Sequence, residues 1–443
     1  MNKKIALSTV LLFSTLSVFA AGSATDFFKT NPDTSIKLPA NQLYPRGQLF
    51  PFTFYSTGGG TENKRGDLLS QAQKDADQKQ IIEGGVTMIG PQYEINDSVV
   101  ADARKYKVKA VYTIYPKIDG EEVNREYLKK LEKEGKALDV EKLRQSVVEI
   151  VKRESVNSEI GWWNIIPEEL RFWRKNDMLQ LKTVSDAIRD TDPLKRPMFM
   201  YEPGHRNAKS LAQTAIYQNV CGKGMYMNYS NFKDSRIYCR WSIEQEVEGI
   251  KESGNKNSIP IAIPEMFSQP PENELHLIDR WVHHDVYAAL IAGAKGVAVF
   301  SASKRPNFSA REQYLKAYLQ ICRELLGPLN LGHIFLFGEP RNDISLKITN
   351  GPATLSFLCK NAGMKEPVEF SSVSIFNAAY KNERYLFLAS SANVPVSAEI
   401  SGFPAGKCVI ENVFNKKQID SKISPLKLVF EPFEVKCIKL KQK

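Results

Sequence analysis

Glu159-Ile160-Gly161-Trp162-Trp163-Asn164-Ile165-Ile166-Pro167-Glu168-Glu169 is a short apolar run, β-branched and aromatic, that stops at a proline and two acids. It is too short for a buried helix and has the composition of a strand enclosed on both faces. Seven further runs of this kind predict strands: Leu49–Tyr55, Val86–Ile89, Lys109–Tyr115, Pro197–Tyr201, Gly224–Tyr229, Ile259–Ile263 and Gly296–Ser301. Charged, amphipathic segments alternate with them, and the helical period predicts helices over Asp67–Glu83, Val140–Lys152, Asn176–Arg189, Ser242–Ser253 and His276–Ala292. Strands alternating with helices make a parallel sheet, and eight such units in this length have the size of a (β/α)8 TIM barrel. A doubly wound sheet is the competing fold. No GxGxxG or GxxxxGK[ST] follows any of the strands, so nucleotide binding has little support, and Gly58-Gly59-Gly60 reads only as a flexible loop.

Beyond residue 335 the helical period disappears. Ser345–Asn350, Thr354–Cys359, Arg384–Ala389, Leu426–Phe430 and Val435–Leu440 are short strand-like runs between turn signals, which predict a small antiparallel β domain, sandwich-like, over 335–443. At the other end, Met1-Asn2-Lys3-Lys4 precedes an apolar run from Ile5 to Ala20 and a small-residue exit through Ala24. That is the pattern of a cleaved signal peptide over 1–24, and the run is shorter than the ~20 residues a bilayer span requires. The expected organisation is therefore signal 1–24, barrel 25–334 and β domain 335–443. The mature chain is expected to be secreted or periplasmic, with no membrane association once the signal is removed.

The net charge is +10, reduced by two when Lys3 and Lys4 leave with the signal. Such a balance admits an acidic partner such as an anionic polysaccharide, although the interspersed acidic residues favour dispersed surface lysine. No basic-aromatic motif suggests nucleic acid. The six cysteines show no CxxC spacing, and export would permit disulfides, with Cys221–Cys239 and Cys408–Cys437 as candidate pairs whose connectivity the sequence leaves open. His283-His284-Asp285 is the one histidine cluster, but neighbours on a helix point apart, so no metal and no cofactor is expected. No GxSxG elbow occurs.

A TIM barrel builds its active site at the C-terminal ends of its strands, so acids just past a strand carry weight. Glu168 and Glu169 follow the fourth strand, Glu202 the fifth and Glu265 the seventh. Glu168 and Glu169 also suit a helix start, and Glu202 suits a supporting ion pair. Trp162 and Trp163 offer flat faces for sugar rings or plain core packing, and Tyr226 and Tyr229 offer phenols near the seventh-strand acid.

The acids after strands four and seven, the turn Glu83-Gly84-Gly85 leading into Val86-Thr87-Met88-Ile89-Gly90-Pro91, and Ala292-Gly293-Ala294-Lys295-Gly296-Val297 at the last strand resemble the clan of retaining barrel glycosidases, clan A in type. The resemblance implies a glycoside hydrolase without cofactors acting on a poly- or oligosaccharide. It implies the acid/base at Glu169 or Glu168, left open between them, and the nucleophile at Glu265. Sugar contacts would fall to Trp162, Trp163, Glu202, Tyr226 and Tyr229. The chain differs from that clan in carrying Pro167 where Asn often precedes the acid/base, in lacking an evident Arg near strand two, and in ending strand eight on Phe300-Ser301. These differences motivate an alternative, a non-catalytic glycan-binding barrel. A metal-dependent barrel hydrolase is the third reading, and it lacks the HxH pair it would need.

Overall fold

The computed structural model describes residues 50–56, 70–92, 96–232, 235–402, 408–419 and 425–442. The expected signal peptide and the triple-glycine loop lie outside these residues.

Eight parallel strands, each followed by a helix, form a (β/α)8 barrel. The strands are β1 (Phe52–Phe54), β2 (Met88–Ile89), β3 (Lys109–Ile114), β4 (Ile160–Ile165), β5 (Met198–Glu202), β6 (Val220–Met225), β7 (Ile259–Pro264) and β8 (Val297–Val299). The helices behind them are α1 (Gln71–Glu83), α2 (Asn96–Tyr106), α3 (Val140–Glu154), α4 (Lys175–Thr191), α5 (Ala208–Ala215), α6 (Ile237–Ser253), α7 (Ile278–Ala292) and α8 (Arg311–Leu326). Neighbouring strands pair in chain order from β2 to β8, and β8 returns to β1, with Phe52 opposite Val297. The seam between β1 and β2 is closed by Thr87, whose amide donates to the Phe52 carbonyl at 3.1 Å and whose hydroxyl oxygen accepts from the Phe52 amide at 2.8 Å.

Side chains alternate between the lumen and the helix layer, as a strand's period of two requires. On β5, Phe199 and Tyr201 fill the lumen, and the carboxyl of Glu202 turns outward to the helix layer. β6 differs from its predicted extent, Gly224–Tyr229, by starting at Val220 and ending at Met225. Its Gly222 and Gly224 hide the strand from a propensity reading. They are required because a Cβ on Gly224 would lie 2.6 Å from Tyr201 Oη and one on Gly222 2.5 Å from the Phe199 ring. Tyr226 and Tyr229 consequently stand on the loop after β6 and not on the strand.

After α8 and the short helix Leu331–Phe337 the chain turns antiparallel. A six-stranded sheet centred on Val373–Tyr380, Glu383–Ser390 and Val435–Gln442 packs on a three-stranded sheet of Ser345–Asn350, Val396–Ser401 and Leu426–Phe430. Leu386, Leu388, Ile438 and Leu440 face the inter-sheet core, and the alternate residues Tyr385, Phe387, Ala389 and Cys437 join the barrel's own hydrophobic core. The sandwich is thereby packed on α7, where Tyr287 stacks on Phe387 at 6.3 Å between ring centres.

The cysteine pairs considered above are not formed. Cys221, Cys239 and Cys437 carry free, buried thiols. Cys408 is in register with Gln442, five residues along the strand from Cys437, and at about 3.4 Å per residue that separation is far beyond disulfide reach. Among the described residues no helix is long and apolar enough to cross a membrane.

Candidate active site

Glu265 directly follows β7 and pairs across to Phe300 at the end of β8. Its side chain is 4% exposed, yet both carboxyl oxygens are held. The Asn228 amide donates to Oε1 at 2.6 Å and the Tyr229 amide to Oε2 at 3.1 Å, with the Ser268 hydroxyl 3.3 Å from Oε2. Its backbone carbonyl accepts from the Tyr318 hydroxyl on α8 at 2.8 Å, and Tyr314, one turn earlier, accepts from the Asn228 side-chain amide at 2.9 Å. Burial pushes the Glu265 carboxyl up to about 7, against the pull of the two amide donors and of the Arg236 charge. A carboxyl accepting an N–H on each oxygen is best satisfied when ionised, since a proton on either oxygen would compete with one of these donors.

Glu168 and Glu169 follow β4 and take different partners. Glu169 takes a left-handed backbone, φ 56°, rare for a residue with a Cβ. Glu168 is half-buried, accepting from the hydroxyl of the buried Tyr55 at 3.3 Å. Glu169 pairs at the rim with Arg125 at 3.2 Å. Tyr55 lies just past β1, and its ring meets Phe300 edge-on at 5.2 Å. Tyr55 thus connects Glu168 to the Phe300 ring, whose backbone is opposite Glu265 in the ladder. Tyr226, Tyr229 and Phe267 complete an aromatic wall around Phe300, with ring centres 5.1 to 6.4 Å apart. Tyr229 is 72% exposed, an aromatic face offered to solvent at the barrel mouth. Arg305 lies 5.6 Å over the Phe267 ring.

The other residues singled out in the sequence lie elsewhere. Trp162 is buried in the lumen against Phe199, ring centres 5.7 Å apart. Trp163 faces the helix layer, where its indole donates to Asp192 at 2.9 Å and its ring meets Arg196. Glu202 is fully buried behind the barrel wall, held by Arg206 at 2.5 Å and Gln218 at 3.0 Å. Neither tryptophan nor Glu202 reaches the mouth. Asn228, Ser268, Tyr55 and Phe300 do. Tyr55 and Phe300 stand immediately past strands one and eight, a position that could have flagged them, whereas the Asn228 and Tyr229 backbone donors leave no trace in side-chain chemistry.

Cys239, His284 and Asp285 form the one cluster of potential metal ligands among the described residues, with ligand atoms within 4.8 Å of one another. Its carboxylate is already taken by a cation, since Arg236 grips Asp285 through two nitrogens. Burial works against the Asp285 charge, but Arg236 outweighs it and holds the carboxyl below its usual range. The donor set fits a buried ion pair better than a metal ion.

No family model matches the sequence, and no curated protein matches it. The fold does have solved counterparts. An α-amylase from Geobacillus thermoleovorans, solved with acarbose, covers 89% of this chain and 99% of its own, at TM-score 0.53 and 10% identity. AmyP, solved with maltose, gives 0.52 at 10% identity, covering 92% of this chain and 98% of its own. A glycoside hydrolase family 5 protein from Bacteroides vulgatus gives 0.53 at 11% identity, covering 89% and 90%. At such identities the likeness is one of fold: a barrel followed by a β domain.

Proposed function

We propose that the chain is a retaining glycoside hydrolase in which Glu265 is the nucleophile and Glu168 the acid/base. The observation that carries this reading is the Glu265 carboxylate, held by two backbone amides at the end of β7, inside an aromatic mouth that Glu168 also enters. Retention needs one carboxylate to attack the anomeric carbon and one carboxylic acid to protonate the leaving oxygen, the two about 5–5.5 Å apart. Glu265 is buried and aimed by its donors. Glu168 is half-buried, with access to solvent for the proton exchange and water activation of the second step. Glu169, occupied by Arg125 at the rim, is better suited to positioning the loop. The aromatic faces of Tyr226, Tyr229, Phe267 and Phe300 suit sugar rings, and the carbohydrate-bound barrels of the same fold support a saccharide substrate.

In this reading the signal 1–24 directs export, the mature protein acts outside the cytoplasm, 25–334 is the catalytic unit and 335–443 is a non-catalytic β domain. The test is azide rescue. Glu265→Ala should lose all activity and regain it with azide on an activated aryl glycoside, giving the inverted azide. Glu168→Ala should keep activity on that glycoside, and azide should give the retained product, because a good leaving group needs no proton. An inverted first product from the wild-type enzyme, seen by NMR, would overturn the roles, and glycan binding with no turnover on any substrate would favour the non-catalytic alternative.

A further inference from the structure

Beside the rim carboxylate Glu169 lies a separate pocket of about 270 Å3, walled by the loops after β4 and β5 and floored by the β domain at Asn361 and Ala362. Its first wall is the pair Phe172 and Trp173, packed edge to face at 4.9 Å between ring centres. Trp173 is 65% exposed, a large apolar face that no core uses. The second feature is charge. Arg171 lines the pocket half-buried, and among the described residues its guanidinium makes no hydrogen bond and no ion pair, although its backbone amide is fixed by Asp177 at 2.7 Å.

The neighbouring charges are already matched. Arg206 is committed to Glu202 and to the Leu170 carbonyl, and Glu169 to Arg125. Behind the wall, the buried Lys223 ammonium donates to the Pro203 and Arg206 carbonyls. His205 on its wall is held below the usual histidine range, by burial first and then by Lys223 and Arg206, against the opposing charge of Glu169. An arginine with no hydrogen bond or ion pair on its guanidinium among the described residues, feeling the Asp177 carboxylate only at a distance, in a concave site beside an exposed indole is an arrangement for a flat ring that carries its own negative charge.

We propose that this pocket binds an acidic sugar, one carrying a carboxylate or a sulfate, with Arg171 on the anion and Trp173 under the ring. Resting on the hydrolase reading, its place beside Glu169, one residue from the acid/base, puts it on the leaving-group side of the scissile bond. The net charge of +10 agrees with an acidic polymer. The pocket is composite, since the β domain closes it: the Asn207 side chain donates to the Ala362 carbonyl at 3.1 Å. The β domain thereby takes part in substrate selection.

The test uses the full chain carrying Glu265→Gln, so that bound glycans are not consumed. It is titrated with oligogalacturonates and hyaluronan fragments, with sulfated carrageenan fragments, and with neutral cello- and xylo-oligosaccharides. Anionic glycans should bind and neutral ones bind at least about tenfold more weakly, an effect of the size of one charge-assisted contact. Adding Arg171→Gln should erase that difference, Arg171→Lys should restore part of it, and Trp173→Ala should weaken every bound glycan. The uronate and sulfate arms tell the two anions apart. Preference for neutral glycans, anionic binding indifferent to Arg171→Gln, or no binding in any arm overturns the proposal. The wild-type chain is assayed on the same glycans. Cleavage of a neutral glycan with kinetics indifferent to Arg171→Gln would refute the pocket and keep the hydrolase, and Arg171-dependent binding of anionic glycans that are never cleaved would do the reverse.

Discussion

Glu265→Gln removes a carboxyl that folding holds at about 7 against an ordinary 4.5. An acid whose folded pKa is raised favours the folded state while both states are protonated. That advantage is lost as pH rises from 4.5 to about 7, because the unfolded chain releases the proton first. Above 7 the wild-type fold carries a constant penalty. Between pH 5 and pH 8 the gap between the two pKa values corresponds to about 2.5 kcal/mol lost by the wild type and not by the glutamine variant. The amide brings its own cost, since its NH2 meets one of the two backbone donors now on Glu265, at about 1–3 kcal/mol. That cost does not depend on pH and cancels from the comparison. Urea unfolding followed by tryptophan fluorescence at pH 5, 6, 7 and 8 should show the variant gaining on the wild type by about 2.5 kcal/mol across the series, most of it before pH 7. Parallel stability curves would refute the reasoning, because they would mean that the carboxyl titrates equally in both states and is not held in a desolvated site.

The same titration should appear in catalysis. If Glu265 attacks as a carboxylate, kcat/KM of the free enzyme should fall about tenfold per pH unit below 7, and an acid limb near 4.5 would contradict it. Glu168→Ala should slow hydrolysis of substrates with poor leaving groups by about 10²–10⁴, whereas Glu169→Ala, which breaks only the exposed pair with Arg125, should cost under about 1 kcal/mol in urea unfolding. Gly224→Ala places a Cβ 2.6 Å from Tyr201 Oη in a closed lumen and should cost about 1–3 kcal/mol; an unchanged urea midpoint would show that the lumen yields. Asp285→Asn leaves the Arg236 guanidinium buried without a counter-charge and should cost about 3–5 kcal/mol in the same assay.

The sequence was most legible where burial alone writes the pattern. β4 and β7 are enclosed on both faces, and their apolar runs fix them to within a residue at either end. β6 was displaced because its lumen face must be glycine and its outer face carries the buried Lys223, so neither strand propensity nor polarity marks it. The helix α5 escaped notice because eight residues are too few to establish a helical period. In the candidate site, the position of Glu265 just past β7 was legible, since position in a barrel follows from the run before it. The different placement of Glu168 and Glu169 was hidden. It depends on a left-handed backbone at Glu169, where sequence rules would look for glycine. The outward turn of Glu202 depends on which parity of β5 faces the lumen, and an all-apolar strand does not reveal its parity.

The helix α7 belongs to two neighbours at once. One face lines the barrel wall, and the other offers Tyr287 to Phe387, His284 to Ser391 at 2.9 Å and Arg280 to the Pro432 carbonyl at 3.3 Å. A module that evolution can append, exchange or discard meets its host through a thin, solvent-matched seam. Here removing the sandwich would strip the apolar cover from a barrel helix and leave the imidazole of His284 without its hydroxyl partner. A barrel transplanted without the sandwich would carry half a core, and a barrel that stood alone would need α7 repainted with polar residues.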